Sequence, residues 1–377
     1  MMAQPSWGKG FKTEELLRAY FLRAGFFVVR GIKLKIKDTE LTDSDLLVYE
    51  RSATLARRRT VIDVKDKKSP QAAERLFFVS GLAQILGVEG AGVATTDKNP
   101  ILRELARKSK ILWIDGDDLQ RLKKSDKVLY PNRLSEEEMF DKIDQLDKLR
   151  GGRKYRVLTE DIKSSIGDRF GVSSANRAIE AFQVFVDEAI KSHPKSVSAE
   201  VLSRLAYFSC SLAAASLDFA SADSALRPTE ERCKLMSNAI RYGENAQDTF
   251  QKLEWTELAL REYIENGASI AREIKDKFTT DAGSFPSEDL AEIVIKLSNT
   301  NKLFEVARSL ETAAFRVYPV CFDDLATDAK SFVGAMLDFC SLDRRHFSDA
   351  MSKAKEVSEK ETTTASEEEC PVQGKLL

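Results

Sequence analysis

The residues best suited to chemistry lie close together, between Asp43 and Lys68. The stretch reads TDSDLLVYE, then a basic connector, then TVIDVKDKK. Asp43 and Asp45 open the first apolar run, and Asp63 and Lys65 stand inside the second. Strand side chains alternate between faces, so residues two apart share one. Asp45 then shares a face with Leu47 and Tyr49, and Asp63 with Val61 and Lys65. Ile62 and Val64 point the other way, into a core. An unpaired charge on an apolar strand is costly to bury. These groups must therefore be held by a metal ion, by each other, or by a ligand. An Asp-x-Lys pair alone is commonly an exposed strand salt pair; a second acid on the preceding strand makes this one a candidate site.

The elements that must position these groups follow from periodicity. Lys12 to Ala24 is expected as a helix, with Leu16, Leu17, Tyr20 and Phe21 on one stripe, Thr13 as its cap, Glu14 in its first turn and Gly25 as its stop. Phe26 to Ile36, Ser44 to Tyr49 and Thr60 to Asp66 read as strands. Pro70 to Gly87 reads as a helix with proline in its first turn. A short strand at Gly90 to Thr95, a helix at Pro100 to Lys108 and a strand at Lys110 to Ile114 follow, the last closed by an Asp-Gly turn at Asp115 and Gly116. The order is that of a small mixed α/β domain: a sheet flanked by helices around an αβββαβ core.

Beyond Ser135 the strand signal nearly vanishes; only Tyr155 to Leu158 suggests a brief strand. Helical stripes run to Lys355, the last spanning Asp324 to Lys355, with breaks at Gly or Pro. No repeat signature accompanies them. The expected organisation is an α/β domain over 1–133, an all-α helical domain over 134–357 and a polar, disordered tail over 358–377. Met1 to Gly10 reads as a loose leader.

Composition narrows the chemistry. The chain has 377 residues, 43% hydrophobic and 31% charged, an ordinary globular mix. Residues 1–133 hold 26 Lys and Arg against 17 Asp and Glu, while the remainder holds 32 against 43. A basic first part suits a polyanion; an acidic second part suits solvation or a protein partner. The five cysteines are scattered, with no CxxC pair, and read as reduced thiols of a cytoplasmic protein. The two histidines, His193 and His346, both fall in the helical part, which excludes a Ser-His-Asp site beside the acids. Any metal site there rests on oxygen ligands, favouring Mg²⁺ or Mn²⁺ over zinc. No apolar run approaches a membrane span, and the polar start carries no signal peptide. The glycines from Gly87 to Gly92 precede a strand rather than follow one, so a dinucleotide loop is excluded, and no GxxxxGK[ST] loop occurs. Trp113 and Trp255 read as core residues. Gln71 and Gln84 read as ordinary helix polar residues.

Over residues 8–118 the chain resembles the restriction-endonuclease-like, or PD-(D/E)xK, nuclease superfamily. The resemblance rests on Glu14 in the first helix, the exit from Tyr20 to Gly25-Phe26, T-D-S-D-L-L-V up to Val48, I-D-V-K at Ile62 to Lys65, and Val-Ala-Thr-Thr at Val93 to Thr96. The proline usual before the first acid is absent, and Asp63 stands where glutamate is commoner. The resemblance implies that Asp45 and Asp63 bind Mg²⁺ (or Mn²⁺), with the Val64 carbonyl as a further ligand and Glu14 binding a second ion or orienting water. Asp43 is placed to share that load. Lys65 would orient or deprotonate the attacking water and neutralise the transition state. Arg57, Arg58, Arg59, Lys67 and Lys68 are the expected phosphate grips, salt-dependent and blind to sequence.

The expected function is a metal-dependent endonuclease acting on DNA in prokaryotic genome defence, antiviral or restriction-type. A homodimer, or a subunit of a multi-protein defence complex, is the expected assembly. Repair or junction resolution is the next setting. The competing expectations are a catalytically silent nucleic-acid-binding or assembly subunit docking a helicase or ATPase, and an effector that cleaves RNA.

Overall fold

The computed structural model describes residues 9–36, 39–67, 70–125, 132–193, 196–244 and 246–350. Lys68, residues 1–8 of the expected leader and the tail expected over 358–377 lie outside them, while Lys9 and Gly10, expected in the leader, belong to the first helix. Helix α1 (Lys9–Arg23) starts the described chain, ends at Gly25 with φ +101°, and leads into β1 (Phe27–Ile36). Only glycine adopts that φ readily. Strands β2 (Thr39–Arg51) and β3 (Arg57–Lys65) follow; α2 (Ala72–Leu86) then crosses to β4 (Gly90–Thr95), and α3 (Pro100–Lys108) to β5 (Leu112–Ile114). The sheet order is β1-β2-β3-β4-β5, antiparallel through β3 and parallel from β3 to β5. The mixed α/β expectation holds.

The two sheet faces carry different cores, as alternation requires. On one, Leu17, Phe21 and Leu22 of α1 meet Leu46, Val48, Ile62, Val64 and Ala94. On the other, Leu47, Tyr49, Val61 and Val93 meet Leu76, Val79 and Ala83 of α2. Helix α4 (Gly116–Lys123) closes the α/β part. The turn expected at Asp115 and Gly116 is instead the start of α4. The Asp115 carboxylate accepts the amides of Asp117 and Asp118 at 2.9 and 3.0 Å, and Asp118 accepts the Asp115 amide.

The rest is helical: α5 (Glu136–Arg150), α6 (Lys154–Asp168), α7 (Val172–Lys191), α8 (Val197–Ala220), α9 (Thr229–Tyr242), α10 (Ala246–Tyr263), α11 (Gly267–Gly283), α12 (Ser287–Asn299), α13 (Lys302–Phe315) and α14 (Thr327–Phe339). Tyr155 to Leu158, expected as a strand, lies in α6. The Asp147 carboxylate accepts the Tyr155 and Arg156 amides at 2.9 Å and so satisfies the donors at that helix start. The helix expected from Asp324 to Lys355 is instead broken: α14 runs from Thr327 to Phe339, Ser341 sits at φ +55°, and the chain is helical again over 344–350, while 351–355 lie outside the described residues. Helix α8 is apolar or small nearly all round and is buried along most of its length.

The helices pack directly on the sheet. Phe27, Tyr49 and Val61 share one continuous core with Tyr155, Ile162, Phe170 and Phe304. A Cβ at Gly167 would come within 2.7 Å of Ile32, so α6 lies tight against β1. Buried ion pairs reinforce this contact. Arg18 meets Glu311 at 2.7 Å and Glu136 at 3.6 Å, and Arg133 also pairs with Glu311. Tyr49 donates to Asp218 at 2.6 Å, and Arg51 pairs with the same carboxylate. Among the described residues no helix is long and apolar enough to cross a membrane.

Candidate functional site

The site forms where β2 and β3 part. Their pairing runs from Arg51↔Arg57 to Leu46↔Ile62 and ends there. Beyond it, β2 stays with β1 as far as Thr39, and β3 stays with β4 up to Lys65↔Thr95. The Asp45 side chain enters the fork. Its Oδ2 accepts the Val64 amide at 2.6 Å, in place of the carbonyl a continued ladder would supply. A strand residue's N–H and C=O point to the same side. The Val64 carbonyl therefore also faces the fork.

Asp63 and Lys65 complete the cluster from β3. Lys65 Nζ lies 3.5 Å from Asp63 Oδ1 and 3.8 Å from Asp45 Oδ2. The two carboxylates from neighbouring strands thus share one ammonium. Asp63 is 5% exposed, Asp45 13% and Lys65 27%, so Asp63 is buried, Asp45 is largely covered and the lysine reaches solvent. Burial pushes the Asp45 carboxyl up to about 7; Glu14 and Asp63 add to this, against the Val64 amide and Lys65. An anion desolvated to this degree lacks a sufficient counter-charge.

Glu14 is held elsewhere. Its Oε2 accepts Arg30 Nε at 2.9 Å, and Arg30 also takes Glu15 at 3.1 Å and pairs with Glu137. Burial raises the Glu14 pKa, Arg30 opposes the rise, and Glu137 and Glu136 add to it. Among the described residues no three His, Cys, Asp or Glu side chains gather closely enough to hold a metal ion. The expected convergence therefore extends to Asp45, Asp63 and Lys65, while Glu14 acts on Asp45 only through its charge. Asp43 is exposed, stands opposite Lys33, and touches neither Asp63 nor Lys65. Thr13 is not a cap; it is buried within α1 and donates to Asp66, the residue after Lys65, at 2.5 Å.

The phosphate grips need correction. Arg57, Arg58 and Arg59 sit at the far end of β3, about 13–20 Å from Asp63 at ~3.3 Å per residue. Arg57 is buried against Asp218 at 3.4 Å and Ser221 at 3.1 Å. Arg59 clasps Glu89 at 2.7 Å and lies over the Phe219 ring at 4.4 Å. Both are engaged by internal partners, so of the run only Arg58 stays exposed. Lys67 is exposed beside the site, its carbonyl taking the Thr96 hydroxyl at 2.5 Å.

Arg75 is the residue that sequence reasoning missed. From the first turn of α2 its Nε donates to Asp63 Oδ2 at 2.7 Å and its Nη2 pairs with Oδ1, a two-pronged grip. Its guanidinium lies 3.9 Å from the Phe78 ring centre. The signal was present: Arg75 is three residues after buried Ala72 and four before buried Val79, at the edge of the face α2 turns to the sheet. Gln84 is exposed near the other end of α2. Trp255, expected in the core, is 77% exposed on α10. No known protein family, characterised protein or solved structure matches the chain.

Proposed function

We propose that the chain is a metal-dependent nuclease that hydrolyses phosphodiester bonds in DNA, with its chemistry in the fork between β2 and β3. The carrying observation is the convergence of Asp45 and Asp63 on Lys65. The donor set supports a hard divalent cation. It consists of carboxylate and carbonyl oxygens, and the largely buried Asp45 carboxyl, pushed up to about 7, has room for more positive charge beside it. Asp45, Asp63 and the Val64 carbonyl would hold Mg²⁺ or Mn²⁺. Such an ion polarises a scissile phosphate and lowers the pKa of a bound water. Lys65, partly exposed and facing both acids, is placed to donate to the phosphate as its negative charge grows. The exposed Lys67 adds a salt-dependent phosphate contact. The sequence resemblance favours genome defence as the setting, with repair next.

A second reading has its own support. Asp63 already carries the Arg75 guanidinium, and α10 exposes Trp255, Leu258 and Tyr263, an apolar face suited to a protein partner. On this reading the fold is a silent binding or assembly subunit. One assay separates the readings: plasmid, single-stranded DNA and RNA incubated with the protein in Mg²⁺, Mn²⁺ or EDTA, beside Asp63→Ala. Metal-dependent DNA cutting that Asp63→Ala loses supports the nuclease. Binding without cutting supports the silent subunit, and RNA loss alone moves the substrate to RNA.

A further inference from the structure

Arg75 and a metal ion compete for the same atoms. Both Asp63 oxygens face the guanidinium, one at 2.7 Å, and Lys65 lies 3.5 Å from Oδ1. The pairing draws on Nε and Nη2; Nη1 has no protein partner among the described residues. Arg75 is also 23% exposed, against 5% for Asp63, so its head can turn outward while its stem stays in place. A planar guanidinium that fits a carboxylate in two-pronged fashion fits a phosphodiester equally well.

We propose that Arg75 is a phosphate-binding residue of this site that keeps Asp63 from metal until nucleic acid arrives. Without substrate, the guanidinium holds both Asp63 oxygens and divalent cations bind weakly. A backbone phosphate draws the guanidinium off Asp63, which becomes free to ligate. Metal and nucleic acid then bind with positive coupling, and the coupling is reciprocal. Phe78 supplies a ring that can support the guanidinium in either position. The proposal rests on the nuclease reading, since it assigns Asp63 to a metal.

The test is Mn²⁺ titration of the full chain, followed by electron paramagnetic resonance, with and without a short DNA duplex. A Lys65→Met background keeps the DNA uncut. Arg75→Gln should bind Mn²⁺ about ten- to a hundredfold more tightly than its parent when DNA is absent, as when the competent fraction rises from about 1–10% to nearly all. DNA should strengthen Mn²⁺ binding clearly more in the parent than in Arg75→Gln, where only the phosphate's own contact with the ion couples the two. In EDTA, Arg75→Gln should bind DNA more weakly, with a salt slope smaller by about one. Arg75→Lys, which keeps the charge and loses the fork, should fall between the two. Equal Mn²⁺ affinity in parent and Arg75→Gln, with wild type still cutting DNA, overturns the Arg75 role and leaves the nuclease standing. Absence of Mn²⁺ binding in every variant, together with no cutting by wild type, overturns both.

Discussion

The Asp45 carboxylate accepts the Val64 amide at 2.6 Å, across the point where β2 and β3 stop pairing. One side chain thus closes a broken ladder and sets its own carboxyl beside Asp63 and Lys65. The same bond makes Asp45 testable apart from catalysis, because asparagine can still accept the amide without carrying the charge.

In EDTA, the contribution of Asp45 to stability should fall as pH rises. The folded chain holds the Asp45 proton up to about pH 7, whereas the unfolded chain releases it near about pH 4. Between these values the folded state binds more protons, so stability drops with pH and levels off above about 7. Asp45→Asn should therefore be more stable than wild type at pH 8, by at most a few kcal/mol, and unfold at a higher temperature, with the gap closing toward pH 5. Thermal unfolding at three pH values checks it; an Asp45→Asn protein no more stable than wild type at pH 8 contradicts it.

Divalent ions should reverse that penalty. At pH 8, saturating Mn²⁺ should raise the unfolding temperature of wild type and do little for Asp45→Asn or Asp63→Asn, since binding to the folded state alone stabilises it. Equal shifts in all three proteins would place the ion elsewhere.

Lys65→Arg should fold and bind DNA yet cut it roughly 10²–10³ times more slowly, as for loss of one transition-state donor. The ammonium is a compact charge, and a guanidinium in its place cannot serve both acids with the same geometry. Single-turnover cleavage rates measure this; an unchanged rate would remove Lys65 from the chemistry.

Asp218→Ala should cost about 3–5 kcal/mol in urea unfolding, because it leaves Arg51 and Arg57 buried without their carboxylate. Tyr49→Phe removes only the hydroxyl donated to Asp218 and should cost about 1 kcal/mol. A small loss in Asp218→Ala would mean that both arginines reach water.

Local pattern made the sheet and the acid pair legible. Alternation put Asp45, Asp63 and Lys65 on one face, and a strand needs nothing distant to do so. Partners far along the chain were not legible. Arg57 and Arg59 read as free cations because Asp218 and Glu89 are remote in sequence, and nothing in a run of arginines reveals them. Glu14 likewise depends on Arg30, whose other carboxylate partners include Glu137 on α5. Arg75 was overlooked because its role depends on how α2 docks, although its place at the edge of the buried stripe was visible. Asp115 followed by Gly116 serves equally as a turn or as a helix start, and the carboxylate's bonds to the next two amides decide.

The shared core and its buried ion pairs bear on how the molecule can be dissected. Cutting after Arg133 would take Glu136 and Glu311 from Arg18, take Asp218 from Arg51 and Arg57, and bare the apolar surface around Tyr49. The α/β part is thus no detachable cassette. Swaps and truncations would report misfolding, and single substitutions in the intact polypeptide are the sounder route to its chemistry.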